Sequence, residues 1–165
     1  MKKQEQKGFS LIELLIVVAI ILIIAAIAIP NLLRARMAAN EASAVGSIRT
    51  LNTAEVTYQT SFPTVGYSIT LAALGSPAGA CVATSANACL IDSVLTAGTK
   101  SGYTFNAKTG AVAGAPQPSY NVYGNPVGPG QTGTRSFCSY EDAVVRATLV
   151  AQVLASCPVT VPPLS

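Results

Sequence analysis

The chain has 165 residues, half of them hydrophobic and only 10% charged, with a mean hydropathy of +0.48, so it reads as one domain plus an extended apolar element and not as a freely soluble globule. Its formal charge of +3 is carried by the start of the chain: Lys2, Lys3 and Lys7 stand there against Glu5, leaving seven basic and six acidic side chains from Phe9 onward. Near neutrality excludes a dedicated nucleic-acid surface, which needs a clustered basic stripe, and the lack of any histidine excludes the usual nucleophile-and-base catalytic sets.

Residues 1–8 form a basic leader whose lysines favour a cytoplasmic N-terminus, although Arg34 and Arg36 beyond the apolar run reduce the asymmetry. From Phe9 to Ile29 there are 21 positions, of which only Ser10 and Glu13 are polar. Rising ~1.5 Å per residue, a helix of that length crosses the ~30 Å hydrocarbon core of a bilayer. The run is rich in isoleucine and valine, which suit a strand, but a lone strand in lipid leaves its backbone unpaired, so a helix is required. Glu13 is the anomaly, because a carboxylate at full membrane depth costs ~2.5 to 3.5 kcal/mol and such residues have partners or functions. Ala26-Ile27-Ala28 has the small-x-small form of a signal peptidase site. However, the apolar region exceeds the ~7 to 15 residues of an ordinary signal and contains Glu13.

The stretch Lys7-Gly8-Phe9-Ser10-Leu11-Ile12-Glu13-Leu14-Leu15, continuing to Ile29-Pro30, closely resembles the class III leader and N-terminal helix shared by type IV pilins and type II secretion pseudopilins. The features that carry the likeness are Gly8 ending a short basic leader, Phe9, Glu13 four residues later, and Pro30 at the end of the apolar run; it covers residues 1 to about 60. The resemblance implies that a membrane-embedded prepilin peptidase cuts between Gly8 and Phe9 and methylates the new amine of Phe9. It further implies that Glu13, roughly 6 Å along the helix axis from that amine, pairs with the amine of a neighbouring subunit and sets assembly register, as single buried polar residues do in coiled coils.

Pro30 falls where helix-forming residues continue on its far side, in Asn31-Leu-Leu-Arg-Ala-Arg-Met-Ala-Ala-Asn-Glu-Ala, so it is expected to kink the helix and not to end it. The hydrophobic assembly half covers residues 9–33. An amphipathic half over 34–61 places Val45, Ile48, Leu51, Val56 and Tyr58 broadly on one side. Gly46 marks a bend or a close subunit contact, and Phe62-Pro63 closes the helix.

Residues 62–99 are small and irregular, with one short helical turn near Leu71, and correspond in the resembled family to a variable, outward-facing αβ-loop. Within 100–149, four strands are expected: Gly102–Ala107, Ser119–Gly124 extending toward Val127, Arg135–Tyr140 and Ala143–Thr148. Turns separate them at Lys108-Thr-Gly, Ala115-Pro-Gln-Pro, Gly128-Pro-Gly-Gln-Thr-Gly and Glu141-Asp142. The glycines of 128–133 have phosphate-loop spacing, but Thr134 stands where lysine is needed. Residues 150–165 form a tail.

Cys81, Cys89, Cys138 and Cys157 allow three pairings. Pairing Cys81 with Cys89 staples the loop, and Cys138 with Cys157 ties the tail to the third strand; free thiols are the alternative. Zinc is disfavoured by the absence of histidine and of Cys-x-x-Cys spacing. Asp92, Glu141 and Asp142 are too sparse for a calcium cage and read as solvated turn residues. No metal or other cofactor is expected.

The fold class is therefore α+β: a long N-terminal helix packed on a small antiparallel sheet of about four strands. The functional expectation is a structural subunit, a major pilin, polymerised through its N-terminal helix into a type IV pilus for adhesion, motility or DNA uptake. It resides in the bacterial inner membrane before assembly and on the cell surface after it. The partners implied are further copies of the chain in a helical filament, the prepilin peptidase, and the inner-membrane assembly platform with its cytoplasmic ATPase; no specific nucleic acid is implied. The alternatives are a type II secretion pseudopilin, whose acidic calcium loop has no counterpart in the tail, and a membrane-anchored binding module that does not polymerise.

Overall fold

The structure, a computed structural model, describes residues 8–76, 81–109, 116–148, 153–158 and 160–164. The leader residues Lys2, Lys3, Glu5 and Lys7, the loop residues 77–80, Gly110 and Ala115 of two expected turns, and the 149/150 boundary lie outside the described residues. The chain divides into two compact units, Met1–Ala35 and Arg36–Ser165.

Helix α1 runs from Leu11 to Ser61 and includes Pro30, so helix continues on both sides of the proline. A missing amide at Pro30 removes one ladder bond without ending the element. The helix stops at Ser61, where Phe62 precedes Pro63 and is held out of helical geometry. Within the second unit, Glu41, Ala44, Ile48, Leu51, Asn52, Glu55 and Tyr58 are buried at spacings of about three and four, the face that packs against the sheet. Val56, expected on that face, is instead 45% exposed, and Glu55 beside it takes the buried position. Val45 is half-buried against the core. Gly46 is exposed, with nothing near where a Cβ would lie.

The segment after α1 is more ordered than its composition predicts. It holds the expected turn as α2 (Leu71–Leu74), capped by the Thr70 side chain, and a second turn, α3 (Ser93–Thr96), capped by Asp92. Gly66 has a φ of +84° and pairs with Gln117 so closely that a Cβ would strike that backbone, so only glycine fits there.

The sheet is an antiparallel meander in the order β1-β2-β3-β4-β5. Its strands are β1 (Thr99–Lys100), β2 (Tyr103–Thr109), β3 (Tyr120–Pro126), β4 (Phe137–Tyr140) and β5 (Arg146–Ala147). The two-residue β1 adds a fifth strand to the four expected, paired with the start of β2. Alternation sends Tyr103, Phe105, Tyr120, Val122 and Phe137 toward α1, and puts Tyr123 and Cys138 on the opposite face. Gly124 lies opposite Phe105 in the ladder, where a Cβ would sit 2.8 Å from the ring.

The tail covers that opposite face. Asn121 and Asn125 of β3 each bond the tail backbone reciprocally, Asn121 with Cys157 and Asn125 with Leu154, so two side-chain amides take the place of a strand ladder. Further on, the Leu164 amide donates to Val145 and the Ala147 amide to Pro162, along the edge of β5.

Candidate functional site

The site begins at the apolar unit. Ser10 precedes the first residue of α1, and its amide donates to the Glu13 carboxylate at 2.9 Å. This is the backward half of a capping box, an acidic residue in the first turn satisfying an amide that the helix leaves orphaned. Glu13 also places negative charge at the positive end of the helix dipole. The sequence Ser10-Leu-Ile-Glu13 carried that signal in its S-x-x-E form, beside the assembly role drawn from the resemblance. From Phe9 to Leu33 the large hydrophobic side chains are all well exposed, Phe9 at 87%. The helix is long and apolar enough to cross a membrane, and among the described residues none of its most apolar stretch is buried. A surface of this size has no place in water and requires lipid or another protein to cover it.

The head builds its own fixed geometry around the other half of α1. Glu41 is held by the Gly128–Arg135 segment. Its Oε1 accepts from the Thr134 amide and hydroxyl, both at 2.7 Å, and its Oε2 from Arg135 Nε and Nη2 at 2.9 and 2.8 Å. Desolvation pushes this carboxyl upward, but the Thr134 and Arg135 donors outweigh it and leave the pKa below the usual carboxylate value. Asn40 donates to the Thr132 carbonyl beside it. The glycine-spaced segment is a turn closed by bonds from Gln131 and Thr132 to the Gly128 carbonyl.

Asn52 joins three elements: it donates to the Ser139 hydroxyl and the Ala143 carbonyl, and accepts from the Tyr120 hydroxyl. Of the three acids expected as solvated turn residues, Asp142 is engaged with Arg146, which stacks over Tyr140 at 4.0 Å. Asp92 caps α3 and pairs with Lys100. Among the described residues no cluster of metal-ligating side chains occurs. Disulfides join Cys81 to Cys89 and Cys138 to Cys157. The first closes the αβ-loop, and the second fixes the tail across β4.

Glu41, Asn52 and Glu55 had no place in the sequence reading. A signal was present, because Glu41, Ile48 and Glu55 are spaced by seven, two turns of helix apart, and so share the face of a core isoleucine.

Residues 3–29 match a family described as the prokaryotic N-terminal methylation motif. The chain is also 71% identical over 35 residues to the type IV wide pilus major component PilA4 of Thermus thermophilus, an alignment that covers 21% of this chain and 27% of that protein. The chain thus spans about a quarter of the length of the curated relative it matches. The matched leader and the exposed apolar helix together resemble the class III prepilin type, which fits membrane anchoring. Over this N-terminal stretch the chain is similar to type IV pilins, a class of structural subunits and not of enzymes.

Proposed function

We propose that the chain is the major subunit of a type IV pilus, cut between Gly8 and Phe9 by a prepilin peptidase, methylated at Phe9, and polymerised through residues 9–33. The observation that carries this reading is the coincidence of the methylation motif with a helix whose apolar surface is left exposed among the described residues. In the membrane that surface is covered by lipid, and in the filament by the same helices of other copies. The similarity to a protein named as a pilus major component supports the major role. Cleavage moves the first charge of the chain to the Phe9 amine, and Glu13 is the acidic group near it that supplies an opposite charge in a packed helix bundle. Pro30, by removing an amide from the ladder, gives the helix a place to bend during that packing. Heads and stapled loops then form the outer surface, available to adhesion, motility or uptake machinery.

N-terminal sequencing and intact mass of the protein recovered from cells test this. The expected result is a chain beginning at methylated Phe9, its mass short by the hydrogens lost in two disulfides. A start at Ile29 would identify a conventional signal peptide, and an intact Met1 an unprocessed anchor; either overturns the proposal. Glu13→Gln keeps the shape and removes the charge, and is expected to abolish or strongly reduce sheared filaments while leaving subunit levels unchanged. Undiminished filaments would remove Glu13 from assembly.

A further inference from the structure

We infer that Glu55 and Ser68 form a proton-operated latch that holds the αβ-loop on helix α1 when Glu55 is neutral and loosens it when Glu55 is charged. Glu55 has no exposed surface, yet both of its hydrogen bonds come from one residue of the loop. The Ser68 amide donates to Oε2 at 2.9 Å and the Ser68 hydroxyl to Oε1 at 2.7 Å. No cation bonds or pairs with this carboxylate among the described residues, in contrast to Glu41, which Arg135 grips. The ionisable groups near enough to feel its charge are Tyr58 from α1 itself and Tyr120 from β3, with Tyr67 of the loop tilted against Tyr120 at a ring separation of 4.9 Å. All are phenols, which cannot carry a positive charge and so offer the carboxylate no counterion.

The geometry serves both protonation states. With Glu55 ionised, Ser68 gives it both donors. When Glu55 takes up a proton, its new O–H can donate to the Ser68 oxygen, and the Ser68 hydroxyl can turn to the Thr70 carbonyl, 3.4 Å away. The amide bond to Oε2 remains. The neutral acid is therefore fully bonded in its place, whereas the carboxylate is fully bonded but carries a buried charge without a counterion. Burial accordingly raises the pKa to about 7, with the Ser68 hydroxyl and amide opposing the rise. Because the folded value exceeds the unfolded one, the contribution of Glu55 is complete at acid pH and is lost as pH rises through the interval from 4.5 to about 7. The cheapest escape for the charge is local: Ser68 lies between Gly66, where the loop pairs with Gln117, and Thr70, which caps α2, so releasing this short segment hydrates the carboxylate without unfolding the sheet.

The test uses the full chain in detergent. Hydrogen exchange of the Ser68 amide, corrected for intrinsic rate, is expected to lose roughly 50- to 100-fold in protection between pH 5 and pH 8, with sheet amides of β3 little changed. In Glu55→Gln the same comparison is expected to be flat. The proposal fails if the wild-type protection is constant or rises over that interval, or if Glu55→Gln retains the full loss. Should that variant not fold, carbon-13 carboxyl titration of the wild-type glutamates decides: one resonance with a midpoint near neutrality supports the latch, and midpoints all below pH 5 overturn it.

Discussion

The two halves of α1 have inverted relations to hydropathy. The half before Ala35 is nearly all isoleucine, leucine, valine and alanine and buries essentially none of them, whereas the half after it carries two glutamates, an asparagine and a serine on the very face that it buries. Amphipathicity alone does not explain this. A helix apolar on all sides is suited to lipid or to a bundle of like helices, and a helix meeting a preformed polar edge buries polar side chains if donors wait for them. One continuous element thus changes character along its length, from a stretch suited to lipid or to like helices to one suited to the sheet.

Substitutions that separate the two halves sharpen the contrast. Leu51→Ala, in the head, is expected to cost about 3 kcal/mol of head stability through the cavity it leaves. Ile21→Ala, a comparable truncation in the apolar half, is expected to change head stability by less than about 0.5 kcal/mol. Chemical denaturation followed by near-ultraviolet dichroism reads both, and equal losses would mean that the halves are energetically one. Replacing Cys138 and Cys157 together by serine is expected to remove about 3 kcal/mol, the entropy of a loop of this size in the unfolded chain, again without effect on the apolar half.

A smaller effect, about 1 to 2 kcal/mol, is expected for Glu41→Ala, which strands the Thr134 and Arg135 donors; Arg135 is partly exposed and recovers some hydration. Glu41 also has a pH signature. Its folded pKa is lowered, so its stabilisation is present above about pH 4.5 and is lost as pH falls through the folded value. Asp142, held down first by Arg146, follows the same sign. Glu41→Gln should therefore flatten part of the acid limb of a stability–pH curve, while leaving any decline toward neutrality untouched.

Much of this was readable from residues. The length of α1 and its stop before Pro63 followed from helix formers and a breaker, and the meander from alternating strands punctuated by glycine and proline. The strand ends were less legible. Arg135–Tyr140 shrinks to Phe137–Tyr140 because Arg135 is drawn aside to Glu41, and Ala143–Thr148 shrinks to two residues because Ala143, at a φ of +56°, belongs to the turn that Asn52 holds. The loop was under-read for a related reason. Its order comes from side-chain caps, a disulfide and the Glu55–Ser68 contact, none of which produces periodicity. Val56 misled because a valine next to a glutamate is ordinarily the buried one of the two; long-range donors reversed the order.

The placement of the tail has a consequence for the filament proposed above, in which the molecule is crowded against its own copies. A sheet edge offers free amides and carbonyls to any neighbouring strand. Here β1 covers only the Tyr103–Thr104 end of β2 at one edge, whereas the other edge, β5, is occupied by Pro162–Leu164, where two prolines lack amides to donate. In the proposed filament the β5 edge is thereby denied to a neighbouring strand, so contact there is governed by side chains, which can be reversed, and not by fused sheets, which cannot readily be taken apart.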